Sequence, residues 1–396
     1  QRKLEETKEL ILACSGFYLD VHTRDRSATP GDTVDIEFEI INRSPVNMEL
    51  KGVEANLTNF NPTFDVSLEN NNNNIFRSEV VVPKDMEYST SYWLRKDGTL
   101  GMYAVEDKSL IGVPQTPDPI VFDFNLHVNN ISILVSRPLV FKKRDPVKGE
   151  VYDPFEVLPA GFAESKDETV IFKPGQTRTI RVEVTAGRDN LNGVLIPCSD
   201  EKWKLSPERI PFELESKNEK AYFDVTVTAP DKQDISKMAY IVEIDGESFT
   251  DKLVTIQYDH IPTQQVVQDN NFNAICIDIK SVGNKVAYIM GAGDKIPDAL
   301  RAIGYQVDEL SEADIRSEVL NKYQSVIVGI RAYNTIDNMK FHHKVLMDFV
   351  KQGGNVVIQY NTSRGLKSDD LGPYPLKLSR GRVTDETAPV KIIAPD

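Results

Sequence analysis

Cysteine is scarce in this chain. Cys14, Cys198 and Cys276 are odd in number and lie far apart, which excludes a disulfide framework and any Cys-x-x-Cys metal or redox motif and leaves isolated buried thiols. Long apolar runs are missing too: none approaches the ~18–20 residues that cross a bilayer, and no charged-then-apolar leader opens the sequence. Basic runs are absent from a chain of net charge −14, so polyanionic partners, nucleic acid and anionic membrane, are excluded. Gly-x-Ser-x-Gly, the phosphate-binding Walker loop and His-Glu-x-x-His do not occur. Gly291-Ala292-Gly293 lacks the third glycine of a dinucleotide fingerprint and is read as a structural turn. Of five histidines only His342 and His343 are neighbours, and adjacent helical residues point about 100° apart. Zinc needs three or more convergent ligands, so no metal site is expected in this chain.

What is present is periodic. Residues 1–15 are read as a linker helix, with Leu4, Thr7, Ile11 and Cys14 on one face and Gly16 as its stop. The first residue is Gln1 rather than Met, and the chain reads as an internal piece of a longer protein. A repeat follows. Pro30-Gly31-Asp32-Thr33 leads into Val34, Ile36, Phe38 and Ile40 alternating with acids, and Pro174-Gly175-Gln176-Thr177 leads into Ile180, Val182 and Val184. A second landmark recurs nearly in phase, Val80-Val81-Val82-Pro83 answered by Val227-Thr228-Ala229-Pro230. Two landmarks at nearly one separation indicate a duplicated domain. Short alternating strands with Gly, Pro and Asn turns predict two immunoglobulin-like β-sandwiches, over 16–140 and 141–262.

After a polar linker around 262–273 the period changes. Over 263–396 the pattern predicts an α/β flavodoxin-like, class I glutamine amidotransferase-like parallel-sheet domain, truncated or irregular at its end. Its strands are 285–291, 305–310, 325–330 and 355–361, and its helices 294–303, 315–323 and 335–352, with Asp294 as a cap and Pro297 in a first turn. Val326–Ile330 and Val356–Ile358 read as strands buried on both faces, each ending abruptly in polar residues. Ligands bind at such carboxyl ends. The candidate ligand-binding residues are therefore Arg331, Tyr333 and Asn334 after one strand and Gln359, Asn361 and Arg364 after the next. Arginine, amides and a tyrosine face suit a sugar or a carboxylate. Amidotransferases of this class carry a cysteine at an elbow like the second one, where this chain has Gln359-Tyr360-Asn361. No catalytic residue is assigned. Tyr92-Trp93 and Trp203 are either sugar-stacking platforms or, as is commoner for a sandwich tryptophan, packing groups.

Three blocks carry a resemblance: Ser91-Tyr92-Trp93-Leu94-Arg95-Lys96-Asp97-Gly98-Thr99-Leu100-Gly101-Met102-Tyr103, Val328-Gly329-Ile330-Arg331-Ala332-Tyr333-Asn334, and Gly353-Gly354-Asn355-Val356-Val357-Ile358-Gln359-Tyr360-Asn361. In this order, over essentially the whole chain, they resemble the long carboxyl-terminal region of large bacterial PIG-L (LmbE-like) deacetylases. The resemblance implies a non-catalytic accessory region behind a zinc-dependent domain that removes acetyl groups from N-acetylglucosamine-type sugars. The His-Pro-Asp-Asp segment of that domain does not occur here, so the zinc is expected in a catalytic domain outside this chain. Implied partners are a glycan and that intramolecular catalytic domain, and the implied location is extracytoplasmic, periplasmic or secreted. Two alternatives stand beside this reading. One is a standalone α/β hydrolase or amidotransferase with an unconventional nucleophile, Tyr360 or Ser363. The other is a structural, protein-binding module.

Overall fold

The computed structural model of the protein describes residues 2–57, 60, 62–129, 131–385 and 387–391. The first residue of the expected linker helix and the last five of the expected α/β domain lie outside them. The chain is mostly β-strand in several sheets, with few helices, and divides into two compact units. One unit runs to Glu168 and includes Arg178–Val227 and Lys237–Phe272. The other comprises Thr169–Thr177, Thr228–Ser236 and the residues from Asn273 onward.

The first unit begins with a β-sandwich that follows from its alternation. In Thr33–Ile41 every second side chain, Val34, Ile36, Phe38 and Ile40, is buried, and the acids between them face outward. That strand lies in a five-stranded sheet with Tyr18–Thr23, Asn73–Val81, Val140–Asp145 and Gly149–Pro154. The facing sheet holds Met48–Ala55, Thr63–Ser67, Val121–Val128 and Ile131–Pro138. The layers meet at Phe38, whose ring stands edge-on to Phe122 and Phe124 at 5.4 and 5.5 Å. Val140–Pro154, expected to open the second sandwich, instead completes the first sheet. Lys142 is paired within this sheet, its Nζ 3.2 Å from Asp20 and 3.4 Å from Glu39.

A second set of sheets repeats the pattern. Gly161–Ser165, Thr177–Ala186, Lys220–Thr228 and Lys204–Ser206 form one, and Asp234–Ile244, Leu191–Cys198 and Ile210–Leu214 lie side by side in another. The duplicated Pro-Gly turns do the same work in both copies. The Gly31 amide donates to Val82 O at 2.8 Å, and the Gly175 amide donates to Pro230 O at 2.9 Å. Gly31 and Gly175 have φ of 96° and 69°, the left-handed conformation these turns require.

Two expectations are corrected here. The supposed linker around 262–273 contains the strands Gln264–Asp269 and Phe272–Cys276, because Val266, Phe272 and Ala274 find buried positions despite their polar neighbours. The helix forms as Arg2–Cys14, yet its expected apolar face of Leu4, Thr7, Ile11 and Cys14 is exposed. Only Leu12, in the last turn, enters the sandwich core.

In the second unit Gln306–Leu310, Lys285–Ile289, Ser325–Val328 and Asn355–Ile358 form a four-stranded sheet in that spatial order, parallel throughout. Helices Ile296–Ala302, Ser317–Leu320, Ala332–Thr335 and Met339–Lys351 connect successive strands. The helix expected over 335–352 is broken at Ile336, and the one expected over 315–323 shortens to a single turn. Asn355–Ile358 is not buried on both faces: Val357 is 47% exposed, since no further strand pairs with it among the described residues.

Candidate functional site

The strand order creates a crevice. From Lys285–Ile289 the chain moves to one side of the sheet for the second strand and to the other for the third, so the loops leaving the first and third strands diverge. They are in contact at their bases. Gly329 N donates to Ile289 O at 2.8 Å, and Ala292 N donates to Ile330 O at 2.8 Å. A Cβ on Gly291 would lie 2.1 Å from Ile330 O, so this glycine is required by close backbone approach.

At the bottom of the crevice a polar network satisfies itself. Gln359 Nε2 donates to the Tyr288 hydroxyl at 3.0 Å, and that hydroxyl donates to the Asp294 carboxylate at 2.6–2.7 Å. Asp294 also accepts from the amides of Ile296 at 2.9 Å and Ile330 at 3.3 Å. Burial would raise the Asp294 carboxyl, but these donors outweigh it and hold it below its ordinary value. Burial and the Asp294 charge push the Tyr288 phenol up, so it keeps the proton it donates. The cap position expected for Asp294 is held by Lys295, with no side-chain cap bond; Asp294, one residue earlier, accepts from the first helical amide and from Ile330 N and so ties the two loops together.

The six candidate residues separate into two roles. Tyr333 turns inward, fully buried, with its hydroxyl 2.9 Å from His343 Nδ1. Burial lowers the His343 imidazole and raises the Tyr333 phenol, so this bond joins two neutral groups. Asn361 is buried and bridges the loops, accepting from Tyr333 N at 3.0 Å and donating to Gln359 O at 2.9 Å. Asn334 donates to Thr362 O and Arg364 O at 3.1 and 3.0 Å and accepts from Thr362 N at 3.0 Å. These three hold the rim through bonds they already make, and Asn361 also lines the cleft above it.

Arg331, Gln359 and Arg364 do line an open cleft of about 1070 Å³. Tyr360, 62% exposed, joins them, with Arg380 and Arg382 from the irregular segment that follows. Arg380-Gly381-Arg382 was missed from sequence because it belongs to no periodic element; two arginines in a near-neutral region are its sole signal. Arg331 has φ 56° and ψ 19°, a left-handed strand-to-helix elbow. The elbow therefore falls after the first of the two runs, not at Gln359–Asn361 as the sequence suggested. The histidines nearest in sequence do not serve as bases for Tyr360 or Ser363, because His343 is bonded to Tyr333 and His342 Nε2 lies 3.1 Å from Glu312.

No group of three or more His, Cys, Asp or Glu suited to a metal occurs among the described residues, so the donors here do not fit zinc. Trp203 is buried in the core. Tyr92 is buried, with its hydroxyl donating to Val113 O at 2.9 Å, and stands edge-on to Trp93. Trp93 is half-buried and lines a cleft of about 1180 Å³ in the first unit. Charges there pair with one another, as in Arg95–Glu87 at 2.6 Å and Lys96–Glu106.

No family model matches this chain, and no curated protein matches it. Solved structures similar to it include Salmonella alpha-2-macroglobulin reacted with methylamine, at 8% identity and TM-score 0.22, over 65% of this chain and 16% of that one. Escherichia coli alpha-2-macroglobulin activated by porcine elastase matches at 8% identity and TM-score 0.22, over 66% and 22% of the two chains. A Porphyromonas gingivalis protein of unknown function matches at 12% identity and TM-score 0.16, over 65% and 99%. The chain spans only 16% and 22% of the two macroglobulins, and likenesses of this size carry no functional argument.

Proposed function

We propose that this chain is a non-catalytic accessory region that binds glycan through the rim of its parallel sheet. In this reading it stands behind a zinc-dependent N-acetylglucosamine-type deacetylase of the PIG-L (LmbE-like) class, outside the cytoplasm. The observation that carries it is the open cleft at the carboxyl ends of the third and fourth parallel strands. There Arg331, Arg364 and an exposed Tyr360 ring face solvent, with the half-buried Gln359 beside them, on a frame whose polar groups are already bonded. Guanidinium and amide groups beside an exposed aromatic ring suit a pyranose with polar substituents. Further support comes from the three sequence blocks that resemble such proteins and from the strand order second, first, third, fourth, which suits a flavodoxin-like or amidotransferase-like domain. The parallel pairing of Tyr18–Thr23 with Val140–Asp145 within one sheet of a two-sheet sandwich suits an immunoglobulin-like module.

Two experiments test the reading. Calorimetric titration of the full chain with N-acetylglucosamine oligosaccharides should show binding that Arg331→Ala weakens by roughly tenfold, the loss of one charge-assisted contact; unchanged affinity would end the proposal for this cleft. Reading the coding frame upstream of Gln1 should reveal a His-Pro-Asp-Asp segment. A start codon immediately before Gln1 would sink the deacetylase part.

A further inference from the structure

Several arginines of this protein are paired. Arg77, Arg95, Arg137, Arg188, Arg209 and Arg301 each hold a carboxylate within ion-pair distance. The rim cleft gathers arginines that hold none. Arg331, Arg364, Arg380 and Arg382 line it together, no Asp or Glu is among its described lining residues, and none of the four has an ion pair among the described residues. Four like charges in one concavity repel one another and focus a positive potential, although the chain as a whole carries −14. Such a cluster is complementary to an anion with several charged groups, and guanidinium forks bind carboxylate or sulfate oxygens in pairs. The rest of the wall mixes aliphatic side chains, Leu371, Leu376 and Leu378 among them, with the Tyr360 ring, Gln359 and the hydroxyls of Ser363 and Ser379, the apolar and polar contacts that a sugar ring takes.

We infer that this cleft recognises an acidic glycan, a sugar chain bearing carboxylate or sulfate groups. The inference rests on the glycan-binding reading above and adds the charge of the ligand. Arg331 and Arg364 sit on the framed loops and meet one anionic substituent. Arg380 and Arg382, two residues apart on an irregular segment, meet a second.

The test compares two tetrasaccharides on the full chain by calorimetry, one of N-acetylglucosamine alone and one alternating N-acetylglucosamine with glucuronate. The acidic one should bind about tenfold tighter or more at low salt, and the margin should shrink as added salt screens exposed charge. The double variant Arg380→Gln, Arg382→Gln should cut the margin to the part that Arg331 and Arg364 hold, and adding Arg331→Gln and Arg364→Gln should bring the acidic ligand down to the affinity of the neutral one. Lys344→Gln with Lys351→Gln, an equal change of net charge on the helix Met339–Lys351, should leave the margin in place. Equal affinity for both sugars, or a margin indifferent to salt, overturns the acidic preference and leaves the glycan reading standing. Binding of inorganic sulfate or polyphosphate without binding of either sugar overturns both, as does an absence of all binding by variants and parent of unchanged melting temperature.

Discussion

Asn361 and Arg331 are 30 residues apart in the chain and meet at the same rim, yet they answer to different constraints. The Asn361 side chain gives the buried Tyr333 amide its acceptor and returns a hydrogen bond to Gln359 O. Asn361→Ala should therefore cost about 1–3 kcal/mol, the penalty of an unsatisfied buried donor, seen as a lower unfolding midpoint in urea. Arg331 occupies a left-handed conformation that costs a residue with a Cβ about 1–2 kcal/mol. Arg331→Gly should leave stability within about 1 kcal/mol of the parent while removing the guanidinium from the cleft, and Arg331→Val should destabilise. Both residues were visible in the sequence as polar groups ending apolar runs. Their roles were not, because whether an asparagine faces a ligand or the backbone of its neighbouring loop depends on a contact 28 residues away.

At the scale of elements, alternation was the most legible signal. Val34, Ile36, Phe38 and Ile40 are buried as their spacing requires, and the duplicated Pro-Gly turns bond alike in both copies. Where charge masks a strand, as in Val140–Asp145, or polar residues flank a few buried ones, as in Gln264–Cys276, period alone fails. Two short elements make opposite pH predictions. Glu156, on the two-residue strand Glu156–Val157, is pushed up to about 7 by burial, with nearby Arg26 offsetting part of it, and its Oε2 has no hydrogen-bond partner among the described residues. Between its ordinary value of 4.5 and about 7 the folded chain holds a proton the unfolded chain has lost. Stability of the first unit should fall as pH rises through that window, by up to about 3 kcal/mol, and Glu156→Gln should flatten the slope. His343 is the reverse case: burial lowers it, with Asp370 opposing, so the unfolded chain protonates first as pH drops below 6.5. The second unit should lose stability in that direction, and hydrogen exchange of Met339–Lys351 at falling pH should show it.

For the molecule as a whole, charge distribution says more than net charge. Residues 263–396 carry 16 basic and 16 acidic side chains, so the entire −14 lies in the first 262 residues. That balance excludes a general affinity for polyanions, but it leaves room for one basic concavity. Its four arginines come from three separate stretches of chain, brought together by the strand order and the path of the segment after Arg364. No linear motif could reveal that convergence, although the sequence did mark the carboxyl ends where it occurs. No described helix is long and apolar enough to cross a membrane.

The most direct measurement is hydrogen–deuterium exchange of the full chain with and without a saturating oligosaccharide of alternating N-acetylglucosamine and glucuronate. Protection confined to the stretches around residue 331, 359–364 and 376–383 is the expected result, since all three line the arginine cleft. Protection instead around Trp93–Tyr103, or in neither place, would contradict a glycan site on the rim of the parallel sheet.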